Sequence, residues 1–513
     1  MNLKIRAILF ALFGLASLVH AFAQGSFSKD GFTYRIMQND SCITVTGYNP
    51  DPNWDYSQPL HIPSSVTHNG KTYFVWCVGS EAFRGLTDIR SVVVDEGISV
   101  LGDYVFMSCT NLESISIPAS VENIGKILFR NCYNLTSIVI DAKNESYDAR
   151  DNSNAIIDSN SDELLVACSS TKVPSSVKSI GDCAFYGCGL IEELVIPEGV
   201  KKIDHEAFGG CSSLKSVSLP ESLIELGANV FIGCNSLTSI VIPKNVIKIH
   251  KDNIFAGCNN LTSVVVDGAN QIYDSRSNCN GIVRTSDSTL VATCCTTTIG
   301  EDVSSLGDYC FYGTVLHSLH IPKSVSKISE DSFERCVGID TITVAEGNPN
   351  YMSLHGSNAI LSKDGKTLVL GCRTTVIPDG VEEIGDGAFY GRYAKLVLRL
   401  PKTVKAIGYC AFSCCNDLCE VIIPKTVSSI GSMAFRGCEN LAVVQILAPL
   451  KIISHGAFEN CCRLYAVSLT EGTETIESYA FKGCKSLKHI TLPSTVKNVD
   501  SRAFEGCPIS EKQ

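Results

Sequence analysis

From residue 112 the chain reads Leu112-Glu113-Ser114-Ile115-Ser116-Ile117-Pro118, with Ile115 and Ile117 alternating with Ser114 and Ser116. A period of two marks a strand with one buried face. Pro118 has no amide hydrogen to give a ladder, so the strand is predicted to stop there. Val121 and Ile124 supply a second inward-pointing pair, Gly125 permits a tight turn, and Phe129, Cys132 and Leu135 lead into the next copy. Phe recurs in this register at 83, 106, 129, 185, 208, 231, 255, 311, 333, 389, 412, 435, 458, 481 and 504. Eleven of the fourteen steps are 22 to 24 residues long, and the other three are 56. A unit of about 23 residues cannot bury these faces alone, but stacked units can, with strands about 4.8 Å apart. The pattern predicts a repeat β-rich solenoid: one curved, elongated domain carrying one long parallel sheet.

The same register explains the cysteines. Of 25, twelve stand three residues after a repeat Phe, and only Leu86, Thr314 and Arg392 break the series. A periodic Cys at a solenoid corner reads as a small buried hydrophobe whose weak S–H faces neighbouring backbone. Stacked turns also bring such positions within disulfide range, so bridges stay open as the alternative.

The segments Ser114-Ile115-Ser116-Ile117-Pro118 and Ile180-Gly181-Asp182-Cys183-Ala184-Phe185-Tyr186-Gly187-Cys188 resemble the repeat of the BspA-like leucine-rich-repeat surface proteins, over roughly residues 60 to 510. The resemblance implies a leucine-rich-repeat-like fold. It also implies an exported or surface location and a role in adhesion, because characterised members bind host matrix proteins or other bacteria.

The register breaks at the N-terminal end and at the three long steps. Residues 24–82 read as a β-hairpin cap with a first partial repeat, its strands at Phe32–Ile36 and Ile43–Thr46 around the Asn39-Asp40-Ser41 turn. Residues 83–507 form the solenoid, followed by a polar tail, 508–513. Three 33-residue insertions, about 141–173, 267–299 and 345–377, share Tyr147, Tyr273 and Tyr351 and then Asn154, Asn280 and Asn358. Each reads as an oversized in-line repeat containing a hairpin, most clearly at Lys363-Asp364-Gly365-Lys366.

Composition then narrows the function. Lys4 and Arg6, the apolar run Ile8–Val19 and Ala21-Phe22-Ala23 give residues 1–23 the form of a signal peptide. The apolar run is too short to span a bilayer and no later one is longer, so no membrane span is expected. The chain is expected to be exported, whether extracellular, at the cell surface or periplasmic. A net charge of −11 without a basic cluster argues against nucleic acid.

Motifs for catalysis fail one by one. His205-Glu206 lacks the closing His of a zinc-protease helix, since Gly209 stands there, and no Gly-x-Ser-x-Gly occurs. Cys410, Cys414, Cys415 and Cys419 cluster without a C-x-x-C spacing, and the Asp-rich stretch 148–162 lacks the EF-hand order. No catalytic residue, cofactor or metal is expected. What remains is the outward row of the sheet, with Val93, Val139, Val195, Val241, Val265, His320, Arg399 and Ile422 as candidate protein-binding positions. The N-terminal half of that row reads as smooth Ser and Val, and the C-terminal half as mixed. Val and Thr suit any sheet surface, but an uncharged, partly apolar face also suits docking. The expected function is non-enzymatic binding of an unidentified protein or glycoprotein of a host matrix or neighbouring cell. The alternatives are a secreted hydrolase on a repeat scaffold and a passive surface spacer.

Overall fold

The computed structural model of the protein describes residues 25–37, 41–51, 54–509 and 511–512, so residues 1–23, expected to be a signal peptide, and Asn39-Asp40 lie outside it. The chain divides into two compact units, Met1–Ser236 and Leu237–Gln513, and each is a β-solenoid built from the same turn. A turn runs through one longer strand, a second strand of two residues and a corner carrying the Phe. In Ser114–Ile117 both isoleucines are buried and both serines half-buried, which is the predicted alternation.

The single long sheet needs correction. Each unit has two parallel ladders, one of longer strands and one of short strands. In the first unit, Leu60–Ile62, Ser91–Val94, Ser114–Ile117 and Ser137–Ile140 stack in register. On the other side, Ser179–Ile180, Lys202–Ile203 and Glu225–Leu226 do the same. Two residues such as Lys202-Ile203 are too few to show a period, so pattern alone hides the second ladder. The longer ladder is also interrupted at the insertions. After Ser137–Ile140 the next members are Glu193–Val195 and Ser216–Ser218, paired with each other.

The corner is held by three kinds of contact. Phe rings of successive turns stack, with centroids 5.4 Å apart for Phe83–Phe106 and 5.3 Å for Phe412–Phe435 and Phe435–Phe458. Two residues after each ring, and two before all but Phe255, Phe333 and Phe504, the backbone enters the left-handed region, as at Tyr104 (φ 57°) and Ser108 (φ 63°). That conformation costs a non-glycine residue roughly 1–2 kcal/mol. Here it aims amides along the stack: Tyr104 donates to Lys126 (3.0 Å), Phe106 to Leu128 (3.1 Å) and Ser108 to Arg130 (2.7 Å). The periodic thiol completes the corner. Cys132 donates to the Phe106 carbonyl at 3.0 Å, Cys234 to Phe208 at 3.1 Å and Cys438 to Phe412 at 3.1 Å. Burial pushes the Cys109 and Cys415 thiols of this column up to about 12, so these two stay protonated donors. All 25 cysteines are free thiols in the structure.

Gly125 has a different reason from the one its turn position suggests. Its φ is not left-handed, but a Cβ there would overlap the Gly102 backbone of the previous turn. In the same column, a Cβ on Gly227 would stand 2.6 Å from the Asp204 carbonyl carbon.

At the N-terminal end, Ser26–Lys29, Phe32–Ile36 and Cys42–Tyr48 run antiparallel. Phe32 and Tyr48 lie 6.2 and 5.9 Å from Phe83, against the first ring of the stack. Ser65–His68 and Lys71–Val78 form a hairpin across Asn69 (φ 48°) and Gly70 (φ 74°), an Asn-Gly turn signal the sequence reading passed over.

Each insertion is a three-stranded antiparallel element, for example Tyr147–Asp148, Ala155–Asp158 and Glu163–Ala167. Its aligned residues tie it to the preceding turn. Tyr147, Tyr273 and Tyr351 accept the amides of Ile124, Ile249 and Ile328 at 3.0, 3.0 and 2.9 Å. Buried Asn144 donates to the Pro118 and Val121 carbonyls at 2.9 Å each, and Asn270 and Asn348 repeat the arrangement. Ala167 and Gly371 donate to Ala184 and Ala388, as Phe185 does to Ala207, so a small residue stands where a ring is due. The corner is therefore truncated at each insertion, and the corners on either side meet, as in the Gly257 to Gly313 hydrogen bond of 3.0 Å.

Candidate binding face

The outward side chains of the longer strands fall into short rows, because the insertions cut the ladder. In the first unit Val93 and Val139 share a row with His61 and Ser116, while Val195 pairs with Ser218. In the second, Val241 pairs with Val265 and His320 with Thr343, and Arg399 begins the row Arg399–Ile422–Gln445–Ser468. Val139, Val195, Val241, Val265, His320 and Arg399 are exposed, Val195 to 71%, whereas Val93 and Ile422 are half-buried. The structure thus brings together Val93 and Val139 across Ser116, Val241 with Val265 and Arg399 with Ile422, and sets Val195 and His320 beside residues outside the candidate set.

Charge at the face is mostly satisfied locally. His61 Nδ1 lies 3.3 Å from Asp95, and His320 Nδ1 lies 2.8 Å from the Thr343 hydroxyl. At the leading edge of the strands, Arg90 pairs with Glu113 (2.5 Å) and Lys215 with Glu192 (2.7 Å). Glu192, through its hydrogen bond, holds the Lys215 ammonium above its ordinary range.

That leading edge is the column the sequence reading left out. In the second unit it becomes Leu396, Cys419, Ala442 and Tyr465, joined by amide-to-carbonyl bonds of 2.8, 2.8 and 3.1 Å from strand to strand. Leu396 is 66% and Tyr465 59% exposed. Half-buried Val397, Ile422, Val443 and Ala466 lie beside them, with half-buried Glu420 in register between Val397 and Val443. The column could have been found by carrying the repeat alignment one residue further upstream.

The family model described as "BspA type Leucine rich repeat region" matches residues 60–157, 155–281, 292–355, 371–470 and 451–512. The chain belongs to the BspA-type leucine-rich-repeat family. The unmatched stretches 282–291 and 356–370 lie inside the second and third insertions. Among solved structures, the chain is similar to a leucine rich cell surface protein from Faecalibacterium prausnitzii at 22% identity. The match covers 96% of this chain and 94% of that one, with a TM-score of 0.37. A leucine-rich repeat protein from Bacteroides ovatus is 24% identical, with 92% and 98% of the two chains covered and a TM-score of 0.33. The pneumococcal vaccine antigen PcpA is 16% identical, with 96% and 100% covered and a TM-score of 0.29. No curated protein matches the sequence.

In this BspA-type chain the residues that resembled catalytic motifs are tied into the scaffold. Glu206 meets Arg130 at 3.2 Å and His205 at 3.4 Å, and the Arg130 guanidinium lies 4.0 Å over the Tyr186 ring. Arg150 bridges Asp148 and Asp162, at 2.6 Å from each, which fills the Asp-rich stretch with a guanidinium. That hydrogen bonding holds the Asp148 carboxyl below its ordinary range. The Cys410–Cys419 cluster is dispersed: Cys410 and Cys414 flank Phe412 in left-handed positions, Cys415 donates to the Phe389 carbonyl, and Cys419 immediately precedes the strand Glu420–Ile423. Among the described residues no group of three His, Cys, Asp or Glu side chains is placed to hold a metal. No described helix is long and apolar enough to cross a membrane.

Proposed function

We propose that this chain is an exported, non-enzymatic binding protein that engages another protein or a glycoprotein through the sheet face of its solenoid. The observation that carries the reading is the second-unit face, where four in-register strands present Leu396, Val397, Ile422, Val443 and Tyr465 with Arg399 at one margin. Exposed apolar side chains beside an aromatic and an arginine have the composition of protein-docking surfaces. Residues 1–23 supply the export signal in this reading. Residues 24–82 form the cap, and 83–507 the repeat array that displays the face.

A pull-down with the intact mature chain against host-matrix and neighbouring-cell extracts tests the proposal. A ligand retained by the wild type and lost by Leu396→Glu/Tyr465→Ala supports it. Retention unaffected by that change would remove the face from consideration.

A further inference from the structure

Six cysteines are not fully buried: Cys42, Cys295, Cys414, Cys419, Cys462 and Cys507. Their neighbours along the stack differ. Cys414 lies between Gly391 and Gly437, Cys419 between Leu396 and Ala442, and Cys462 between Glu439 and Lys485, so these have no thiol one turn away. Cys42 pairs across its ladder with Phe74, and the Cys295 thiol is given to the Leu261 carbonyl at 3.1 Å. Cys507 alone among the six has a cysteine in register one turn earlier, Cys484.

The register there is tight. Thr475 and Ile476 pair with Asn498 and Val499, and the Phe481 and Phe504 rings stack at 5.3 Å, 3° from parallel. Cys484 donates to the Phe458 carbonyl at 3.2 Å and Cys507 to the Phe481 carbonyl at 3.0 Å, so the two thiols take the same place in successive turns. One turn of separation falls within the Cα spacing a disulfide accepts, roughly 4.4–6.8 Å. The turn itself is more open than the turn of Phe435. Val496, Val499 and Phe504 are half-buried, whereas their counterparts Val427, Ile430 and Phe435 are buried. An oxidant can therefore reach Cys507 while Cys484, wholly buried, is already against it.

We propose that Cys484 and Cys507 form a disulfide by exchange with a small-molecule disulfide, locking the last turn onto the array. The Cys507 thiolate attacks one sulfur of the small disulfide, forming a mixed disulfide and releasing the first small thiolate. Cys484 gives its proton to that thiolate and attacks the Cys507 Sγ, releasing the second. The protein loses two electrons and two protons, and the small disulfide becomes two thiols. Cys507 is the attacking member because it is the half-buried thiol of the two, whereas Cys484 is buried out of reach of a small molecule.

The test uses the full chain, reduced, then incubated with oxidised glutathione, alkylated in denaturant and digested with trypsin. The expected product is Gly483-Cys484-Lys485 joined to the peptide 503–512, with 25 − 2 = 23 thiols still alkylated. Cys484→Ser should instead hold glutathione on Cys507, and Cys507→Ser should leave Cys484 alkylated in full. A stable glutathione adduct on wild-type Cys507, its linkage to any other cysteine, or 25 alkylated thiols would overturn the proposal.

Discussion

The Cys211 thiol donates to the carbonyl oxygen of Phe185, 3.2 Å away and 26 residues earlier in the chain. Sequence alone marks Cys211 as a gap-filling hydrophobe, for which a serine hydroxyl would need a new partner. The structure supplies that partner. Cys211→Ser should therefore cost only about 1 kcal/mol, because its hydroxyl can turn to the same carbonyl. Cys211→Ala should cost as much or more, about 1–2 kcal/mol, since it leaves a methyl-sized void and removes the donor. Thermal melts of both variants check the order, and a serine variant several kcal/mol worse than alanine would refute it.

Arg392 holds the position of the periodic Cys at the turn that follows the third insertion, and it is fully buried. Its guanidinium donates to the carbonyls of Phe333 (2.7 Å), Cys336 (3.2 Å), Gly371 (3.3 Å), Gly387 (2.7 Å) and Ala388 (3.4 Å). Burial lowers its basicity, and no carboxylate is among those partners. Arg392→Met should orphan several buried carbonyls and cost at least about 3 kcal/mol. Arg392→Cys should recover only part of the loss, because a thiol reaches one carbonyl as Cys188 reaches Ala167, at 3.7 Å. Denaturant melts of both variants measure it.

Two glycines of one turn should respond differently. A Cβ on Gly431 would stand 2.5 Å from the Gly408 carbonyl carbon and 2.6 Å from the Tyr409 nitrogen, so Gly431→Ala should cost about 1–3 kcal/mol or more by overpacking. Gly437 is left-handed (φ 69°), but Asn460 holds the same place two turn-corners' residues after its own Phe at φ 60°. Gly437→Asn should accordingly cost under about 1 kcal/mol. Equal melting shifts for the two would contradict the close-approach argument.

Arg284 hydrogen-bonds Asp287 in the second insertion, at 3.0 and 2.7 Å, and holds that carboxyl down at about 2. A depressed folded-state value means the pair stabilises above the ordinary carboxylate range and loses its contribution as pH falls through about 2. Arg284→Ala should return Asp287 toward the ordinary range, read by carboxyl-carbon NMR titration.

The fold was legible because Phe412, Phe435 and Phe458 repeat at a constant interval and Ile115 and Ile117 alternate with serines. Other features leave no pattern. The short ladder rests on pairs such as Lys202-Ile203, and the left-handed corners fall on residues as unlike as Tyr104, Ile127 and Met433. Their conformation is imposed by the hydrogen bonds between turns, which composition does not announce. Of the face, the exposed valines were legible from the strand period. Leu396 and Tyr465 were not, since they precede the regular alternation and become neighbours only through the register of Leu396, Cys419, Ala442 and Tyr465. Arg392 stood out as an exception, but the carbonyls it serves belong to two turns and an insertion.

The binding account is tested most directly by comparing ligand capture by three intact proteins: the wild type, Leu396→Glu/Tyr465→Ala on the sheet face, and Tyr409→Ala, whose exposed ring lies on the corner. Surface plasmon resonance against the ligand recovered by pull-down gives the affinities, with melts confirming that each protein is folded. The account predicts at least a tenfold loss, about 1.4 kcal/mol, for the sheet-face variant and no change for the corner variant. Equal affinity for all three, or a loss confined to Tyr409→Ala, would contradict it.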